Sequence, residues 1–132
     1  MAQYTEDIPL KPTAAVNKYT AVILGTAADQ TCSPPGGANA SCIGVVQETV
    51  TTADVTAGRV ADVRVLGRST VVANGSISRG ALVVCGASGG KVQAAAAAAK
   101  QWVLGVALTA AGADGDWIEV ELSGAGSQVD NS

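Results

Sequence analysis

Two stretches of the sequence alternate between apolar and polar residues, and this alternation limits the possible fold more than any other feature. RVADVRV, residues 59–65, alternates alanine and valine with charged side chains. DWIEVEL, residues 116–122, repeats the pattern with Ile118, Val120 and Leu122 on one side. Because successive side chains of a β-strand point to opposite faces, both stretches are predicted to be strands with one buried face.

The apolar residues available for a core are mostly small or β-branched. Hydrophobic residues make up 48% of the 132-residue chain, yet Phe is absent and the aromatic residues are Tyr4, Tyr19, Trp102 and Trp117. β-Branched side chains pack well on a pleated sheet. Charged residues make up 14%, below the usual share of roughly one quarter, which indicates that a partner covers part of the surface.

The rest of the pattern predicts a nearly all-β chain with at most one or two helical turns. Pro-Pro and Gly-Gly pairs mark a loop at residues 31–41, and Asn74 followed by Gly75 marks a tight turn. The predicted strands lie near residues 19–25, 43–49, 59–66, 81–85, 102–108 and 116–122.

Six consecutive alanines, Ala94–Ala99, are the segment with the strongest helical propensity. They are too few for a helix that is stable by itself, and Gln93 before them is not a capping residue. Because the segment lies between two predicted strands, it is interpreted as a connection with room for one helical turn.

The two ends of the chain differ from its centre. Residues 1–18 contain Pro9 and Pro12 and show no clear period, which indicates an extended arm that is ordered on a partner, with a disordered tail as the alternative. Residues 19–122 hold the predicted strands and form a β-domain. Residues 123–132 are predicted to be a flexible tail.

The sequence also contains a weak internal repeat. CIGVV, residues 42–46, matches VLGVA, residues 103–107. Each is followed by a link rich in threonine or alanine, then a glycine, Gly58 or Gly115, and then an alternating strand. Two interpretations are open: two similar β-units packed face to face, or coincidence among strands rich in valine and glycine.

Charge and hydropathy exclude several classes of partner. The formal net charge is −3 with no run of Lys or Arg, whereas nucleic-acid binding requires a basic face. No apolar run approaches the roughly 20 residues that span a membrane. The first residues lack the pattern of a signal peptide, so synthesis in a cytoplasm is expected.

The sequence offers little for catalysis or for binding a metal or cofactor. It has no His, which removes the usual base for a Ser or Cys nucleophile and the commonest metal ligand. The Gly-rich segments at 75–80 and 86–90 fit hairpin turns better than phosphate loops. Asp114, Asp116, Glu119 and Glu121 fit a solvated edge better than a cation site. No enzyme, metal site or cofactor is therefore predicted.

Three cysteines, Cys32, Cys42 and Cys85, have no metal-like spacing. They are interpreted as reduced thiols, some of them buried as small apolar residues. A disulfide between Cys32 and Cys42 across the intervening loop is the alternative, and it would matter for a particle that works outside the cell.

The order of these motifs resembles the small capsid decoration, or cement, proteins of tailed bacteriophages. The similarity runs from about Tyr19 to Leu122 and is carried by IGVV, LGVAL, VLGRSTVVANGSISRGALV and GDWIEVEL. It implies a small compact β-barrel or β-sandwich, frequently a homotrimer, on the outer surface of the virion. It also implies binding to the major capsid protein, stabilisation of the shell and no catalytic residues. The long loop at residues 29–41 is less expected in this family.

On this interpretation the arm lies along a neighbouring capsid or cement subunit, with Tyr4, Ile8 and Leu10 as its anchors. The alternative function is a carbohydrate- or host-binding module displayed on a virion or cell surface. Only Trp102 and Trp117 could provide aromatic platforms for that role.

Overall fold

A computed structural model gives the fold and describes residues 5–26, 28–37, 40–86, 89–95, 100–123 and 128–130. Nearly all regular structure in these residues is β-strand, as the sequence predicts. The strands are β1 (Glu6–Pro12), β2 (Ala21–Leu24), β3 (Thr31–Ser33), β4 (Gly44–Val46), β5 (Ala61–Val72), β6 (Leu82–Cys85), β7 (Val92–Ala94), β8 (Lys100–Ala107), β9 (Trp117–Ser123) and β10 (Gln128–Asp130), and one short helix, α1 (Thr52–Thr56), precedes β5.

Strand β5 is shared by two small β-barrels. Its N-terminal half pairs with β1 on one edge and with β4 on the other. Its C-terminal half pairs with β9, and this pairing begins at Leu66, where the pairing with β1 ends. The chain therefore divides into unit 1, residues 6–66, and unit 2, residues 67–123.

Each unit closes into a ring of five strands. In unit 1, β1 pairs with β3, β3 with β2, β2 with β4, β4 with β5, and β5 again with β1. In unit 2, residues 67–73 take the place of β1, and β7, β6, β8 and β9 follow in the same order. A parallel bridge from Ala73 to Val92 closes this second ring, as the parallel pair of Pro12 and Cys32 closes the first.

The internal repeat of the sequence corresponds to these two units. Val46 pairs with Val63 in unit 1, and Ala107 pairs with Val120 in unit 2. These four residues belong to the segments that match in sequence, and their pairing register is the same. The shared register supports two similar β-units over coincidence.

The cores of the two barrels are equivalent residue by residue. The core cluster of unit 1 has eight buried residues, and each has a buried equivalent in unit 2. The pairs are Leu10 and Val71, Val16 and Ile77, Val22 and Val83, Cys32 and Val92, Val46 and Ala107, Val50 and Ala111, Ala61 and Ile118, and Val63 and Val120. Small and β-branched residues fill both barrels, which explains how a chain without Phe forms two cores.

Helix α1 is the main difference between the units, because the loop between β8 and β9 has no counterpart to it. The Thr51 hydroxyl accepts the Asp54 N–H at 3.2 Å, and the Asp54 carboxylate accepts the Thr51 N–H at 3.1 Å. This reciprocal cap satisfies two backbone donors and starts a helix of five residues. A helical turn is thus present before β5, within the one or two turns that the sequence predicts.

Three segments differ from the sequence-based interpretation. Residues 6–12 are extended, as expected of an arm, but they pair with β5 and β3 of their own chain. Residues 128–130 form β10 and pair with β8, so this part of the expected flexible tail belongs to the sheet. In the alanine run, Ala94 ends β7 and the Ala95 N–H donates to the Leu82 carbonyl, while residues 96–99 lie outside the described residues.

Two equivalent glycines, Gly44 and Gly105, lie where neighbouring strands approach closely. A Cβ atom on Gly44 would collide with the Arg64 carbonyl oxygen, and one on Gly105 would collide with the Glu121 carbonyl oxygen. Neither glycine has a positive φ, so space and not backbone conformation requires glycine at both positions.

We therefore expect Gly44→Ala and Gly105→Ala each to lower the free energy of unfolding by about 1–3 kcal/mol, the usual cost of overpacking. Gly36→Ala is the matched control, because its Cβ would meet nothing within 4 Å. Urea denaturation measures the three values. Equal stability of Gly44→Ala and Gly36→Ala would show that the close approach of β4 and β5 is wrong.

Candidate interaction surfaces

Backbone hydrogen bonds at the start of β2 connect unit 1 to unit 2. The Val72 N–H donates to the Tyr19 carbonyl at 2.9 Å, and the Ala21 N–H donates to the Gly90 carbonyl at 2.8 Å. Residues 19–21 therefore lie between β5 and the residues before β7. We call this contact between the units the junction.

The apolar part of the junction joins unit 1 to the core of unit 2. Ala21 and Val45 belong to unit 1, yet both are fully buried and belong to the core cluster of unit 2. Gly90 allows this packing, because a Cβ there would lie 2.5 Å from the Ala21 carbonyl oxygen. The two barrels consequently bury a common apolar layer.

An aromatic pair covers one side of the junction. The ring centroids of Tyr19 and Trp117 are 5.0 Å apart with an interplanar angle of 79°, an edge-to-face contact. The Lys18 ammonium lies 5.4 Å from both centroids. Tyr19 has φ +66°, and its equivalent in unit 2 is Gly80, with φ +87°. A tyrosine thus adopts a conformation that favours glycine, and its ring contact with Trp117 offsets that strain.

An open polar cavity of about 210 Å³ lies beside the aromatic pair. Its polar groups bond to one another: Gln47 Nε2 donates to Ser69 Oγ at 3.0 Å, and Ser69 Oγ donates to the Thr70 carbonyl at 2.9 Å. Arg64 Nε donates to Asp7 Oδ1 at 2.8 Å, and this hydrogen bond raises the pKa of Arg64. The cavity is lined by Thr5, Tyr19, Gln47, Arg64, Arg68, Ser69, Thr70 and Glu119.

The hydroxyl groups of Ser69 and Thr70 at this cavity have hydrogen-bond partners within the chain. Ser69 is the buried hydroxyl of the cavity, and its described partners are an amide and a backbone carbonyl. Thr70 Oγ1 donates to Glu119 Oε1 at 3.3 Å, and both residues are half-buried. The arrangement fits a packed polar seam at the edge of the junction.

The three predicted anchors occupy different environments. Leu10 lies in the core of unit 1 with 4% of its surface exposed, so it holds β1 in its own barrel. Ile8 is half-buried and packs at the edge of that core. Tyr4 lies outside the described residues. Of the two anchors that the structure describes, Leu10 is therefore taken up by its own core, while Ile8 keeps part of its surface exposed.

All three cysteines are free thiols, so the alternative of a Cys32–Cys42 disulfide is not observed. Cys32 is fully buried in unit 1, and burial raises the pKa of its thiol to about 11. Cys42 instead hydrogen-bonds to Cys85 of unit 2, which raises the pKa of Cys42 and lowers the pKa of Cys85. Cys85 Sγ also lies 3.3 Å from the Gly37 carbonyl, so the loop before β4 covers it.

The acidic residues near β9 have separate partners. The Asp116 carboxylate accepts the N–H groups of Gly112 and Ala113 at 2.9 and 3.0 Å, which closes the turn before β9. Asp114 lies 3.4 Å from the Lys91 ammonium. Within the described residues, no three potential metal ligands come together. The same part of the chain contains no helix that is long and apolar enough to cross a membrane.

The junction was not predicted from the sequence. Two features of the sequence belong to it. Tyr19 and Trp117, two of the few aromatic residues, are in contact, and Gly90 of a predicted turn packs against Ala21. The contact joins residues far apart in the chain, so no local pattern could reveal it. The other predicted platform, Trp102, is half-buried on β8.

The family model for phage cement proteins matches residues 2–122, so the chain belongs to the phage cement protein family and is a capsid decoration protein. Among solved structures, the chain is similar to the head fiber gp8.5 N base of bacteriophage phi29, with a TM-score of 0.66 and 17% sequence identity. That match covers 91% of this chain and 95% of the other. At this identity the likeness shows the fold alone. No curated protein matches the sequence.

Because Val92 occupies the equivalent core position in unit 2, Cys32→Val is a suitable variant for testing how the Cys32 thiol affects stability. The ordinary pKa of 9.0 is raised to about 11 in the folded protein, so the unfolded chain releases this proton first as the pH rises. The free energy of unfolding should fall between pH 9 and 11 by about 2–3 kcal/mol from this group. Cys32→Val should fold and lose less stability across the same window.

Urea denaturation at pH 8, 9, 10 and 11 measures the free energy of unfolding of the wild type and of Cys32→Val. These values span the range between the ordinary and the raised pKa of Cys32. Lysine and tyrosine titration is common to both, so the difference between the two curves isolates Cys32. If both proteins lose the same free energy of unfolding, Cys32 is not held as a buried neutral thiol.

Proposed function

We propose that this protein binds the outer surface of an assembled phage head, contacts the major capsid protein there and works as a homotrimer. It is a structural component of the virion without a catalytic role. The observation that carries this proposal is the family match, which extends over both barrels and includes the junction between them.

The physical character of the molecule supports a binding role. Closed rings leave few unpaired strand edges, which limits the edge-to-edge association to which open sheets are prone. The whole chain lacks His, and the polar groups of the described cavity beside the junction pair with one another. What the surface offers is apolar contact area, since Leu24, Val60 and Trp117 are each more than half exposed.

The segment ahead of β1 is the part of the predicted arm that we retain as a capsid contact. It contains Tyr4, and β1 fixes its point of departure from unit 1. A truncation that starts at Tyr19 would remove β1 and open the first barrel. A deletion confined to residues 2–4 leaves both rings intact, so it separates capsid binding from folding.

The carbohydrate- or host-binding alternative would use Trp117, which is 59% exposed. The Tyr19 ring edge and the Lys18 ammonium already contact this indole, so a sugar would have to share or displace them. Their contacts fit a role for Trp117 in joining the units. Binding of the isolated protein to a glycan array would favour the alternative.

Binding to the assembled shell stabilises that shell by mass action. A ligand present at about a hundred times its dissociation constant contributes about 2.7 kcal/mol per site. Repetition over the capsid surface then multiplies modest contacts through avidity. Low net charge also suits a protein that lies close to many copies of itself.

We expect the purified protein to co-sediment with mature heads that lack it and to raise the temperature at which those heads release their DNA. Free capsid subunits should not bind it, because the site is formed by the assembled lattice. The deletion of residues 2–4 should keep its melting temperature and lose occupancy on the heads. Cryo-electron microscopy of the mixture measures occupancy.

The control is a deletion of residues 131–132 at the other end, which should bind as the full chain does. Failure of the full-length protein to bind any mature head of its own phage would contradict the capsid-binding proposal. Full occupancy by the variant that lacks residues 2–4 would restrict the error to the arm.

A further inference from the structure

The junction leaves one surface of each unit uncovered, because the two units are equivalent and only one contact between them is made. Ala21 and Val45 of unit 1 are fully buried on unit 2. Their equivalents in unit 2 are Leu82 and Val106, which pair across β6 and β8 and remain half-exposed. We call the surface formed by Gly80, Leu82, Val106 and Leu108 the front face.

The surface of unit 2 that receives unit 1 also has an uncovered equivalent. Trp117 and Cys85 are contacted by Tyr19 and by the loop that contains Gly37. Their equivalents in unit 1 are Val60, 52% exposed, and Leu24, 53% exposed. Leu24 is thus exposed at the position where Cys85 of unit 2 is buried, with 1% of its surface accessible. Val60 is exposed at the position where Trp117 receives the edge of the Tyr19 ring, and Trp117 keeps 59% of its own surface exposed. We call the surface formed by Ile8, Lys11, Leu24, Gln30 and Val60 the back face.

The back face of unit 1 has a cavity. In unit 2 the equivalent position is filled by residues 19–21, which form backbone hydrogen bonds there. Lys11 and Gln30 are the equivalents of Val72 and Gly90, which bond to residues 19–21. In unit 1 the Lys11 N–H donates directly to the Gln30 carbonyl at 3.0 Å. A cavity of about 370 Å³ lies beside this bond, lined by Pro9, Lys11, Asp29, Gln30, Thr31 and Val60. A strand that entered here would replace the bond with two of its own.

The two side chains that would meet between the uncovered faces differ from their equivalents at the junction, and they differ in the same way. At the junction, Gln47 Nε2 donates to Ser69 Oγ at 3.0 Å. Leu108 on the front face is equivalent to Gln47, and Ile8 on the back face is equivalent to Ser69. At the junction a polar residue meets a polar residue. Between the uncovered faces an apolar residue, Leu108, would meet an apolar residue, Ile8.

The charges also fit. Lys18 lies over Trp117 at the junction, and its equivalent Arg79 precedes Gly80 on the front face. The back-face cavity is lined by Val60 and by one residue of each charge, Asp29 and Lys11. When the faces meet, Asp29 is the carboxylate available to Arg79, whereas two front faces would bring two Arg79 side chains together, so the charges favour the head-to-tail orientation.

We propose that copies of this protein associate head to tail, with the front face of one copy on the back face of the next, in the arrangement that the junction shows within a chain. The inference deepens the self-association proposed above by naming its surfaces. A contact between two different faces closes into a ring when its rotation permits. The homotrimer would then be a ring of three copies in which every unit covers its neighbour.

Two charge substitutions on different faces test this arrangement in solution, without capsids. Leu82→Glu alters the front face, and Val60→Glu alters the back face. Each should weaken self-association roughly a hundredfold, as for a central contact residue, and leave a folded monomer. Leu108→Glu and Leu24→Glu are second variants, one for each face, and Ala15→Glu in the exposed turn after β1 is the control.

The mixture of the two variants gives the decisive result. A Leu82→Glu copy keeps its back face and a Val60→Glu copy keeps its front face, so one intact interface remains between them. Sedimentation velocity and native mass spectrometry should show wild type and Ala15→Glu as closed oligomers, each single variant as a monomer and the mixture as a one-to-one heterodimer. Far-UV circular dichroism checks that every variant is folded.

A monomeric wild type at high concentration would overturn the proposal. So would folded front-face and back-face variants that stay oligomeric, or a mixture in which no heterodimer forms. None of these results affects capsid binding, which is measured separately on mature heads, so failure of the head-to-tail contact and failure of the proposed function are distinguishable.

Discussion

The fold depends on strand β5, because neither barrel can close without it. The strand supplies an edge to β1 and β4 in unit 1 and an edge to β9 in unit 2. Gly67, with φ +94°, lies next to Leu66, where the pairing changes from β1 to β9. Glycine adopts this left-handed conformation without the steric cost that a side chain would add. One continuous strand thus joins two rings that would otherwise be separate small domains.

Sharing a strand also explains the composition of the chain. Each barrel is only five strands around, so its interior accommodates valine, alanine and isoleucine better than aromatic rings. Backbones must approach closely at Gly44, Gly90 and Gly105, where a Cβ would collide with a carbonyl oxygen. A protein of this kind gains area for contact with partners while its interior stays small. A large contact area from a short chain suits a subunit that is present in many copies on a shell.

The sequence predicted β2, β4, β6, β8, β9 and the first half of β5. Of these, β9 and the start of β5 alternate between buried and more exposed residues, whereas all three residues of β4 are buried. It did not predict β1 because Pro9 and Pro12 interrupt the alternation, although Leu10 is a core residue. It did not predict that β5 continues past Gly67, because a glycine there reads as a strand end. The junction could not be predicted, since Ala21, Val45 and Gly90 are brought together only by the tertiary fold.

Amide hydrogen exchange tests most directly whether the two barrels form one cooperative domain through β5. The slowest amides of both units should exchange with the same free energy of opening, because opening either barrel breaks β5 and exposes Ala21 and Val45. Val120→Ala, a change in the core of unit 2, should lower that free energy for Val46 and Val63 of unit 1 as well. Unchanged protection of Val46 and Val63 in this variant would contradict the shared-strand fold.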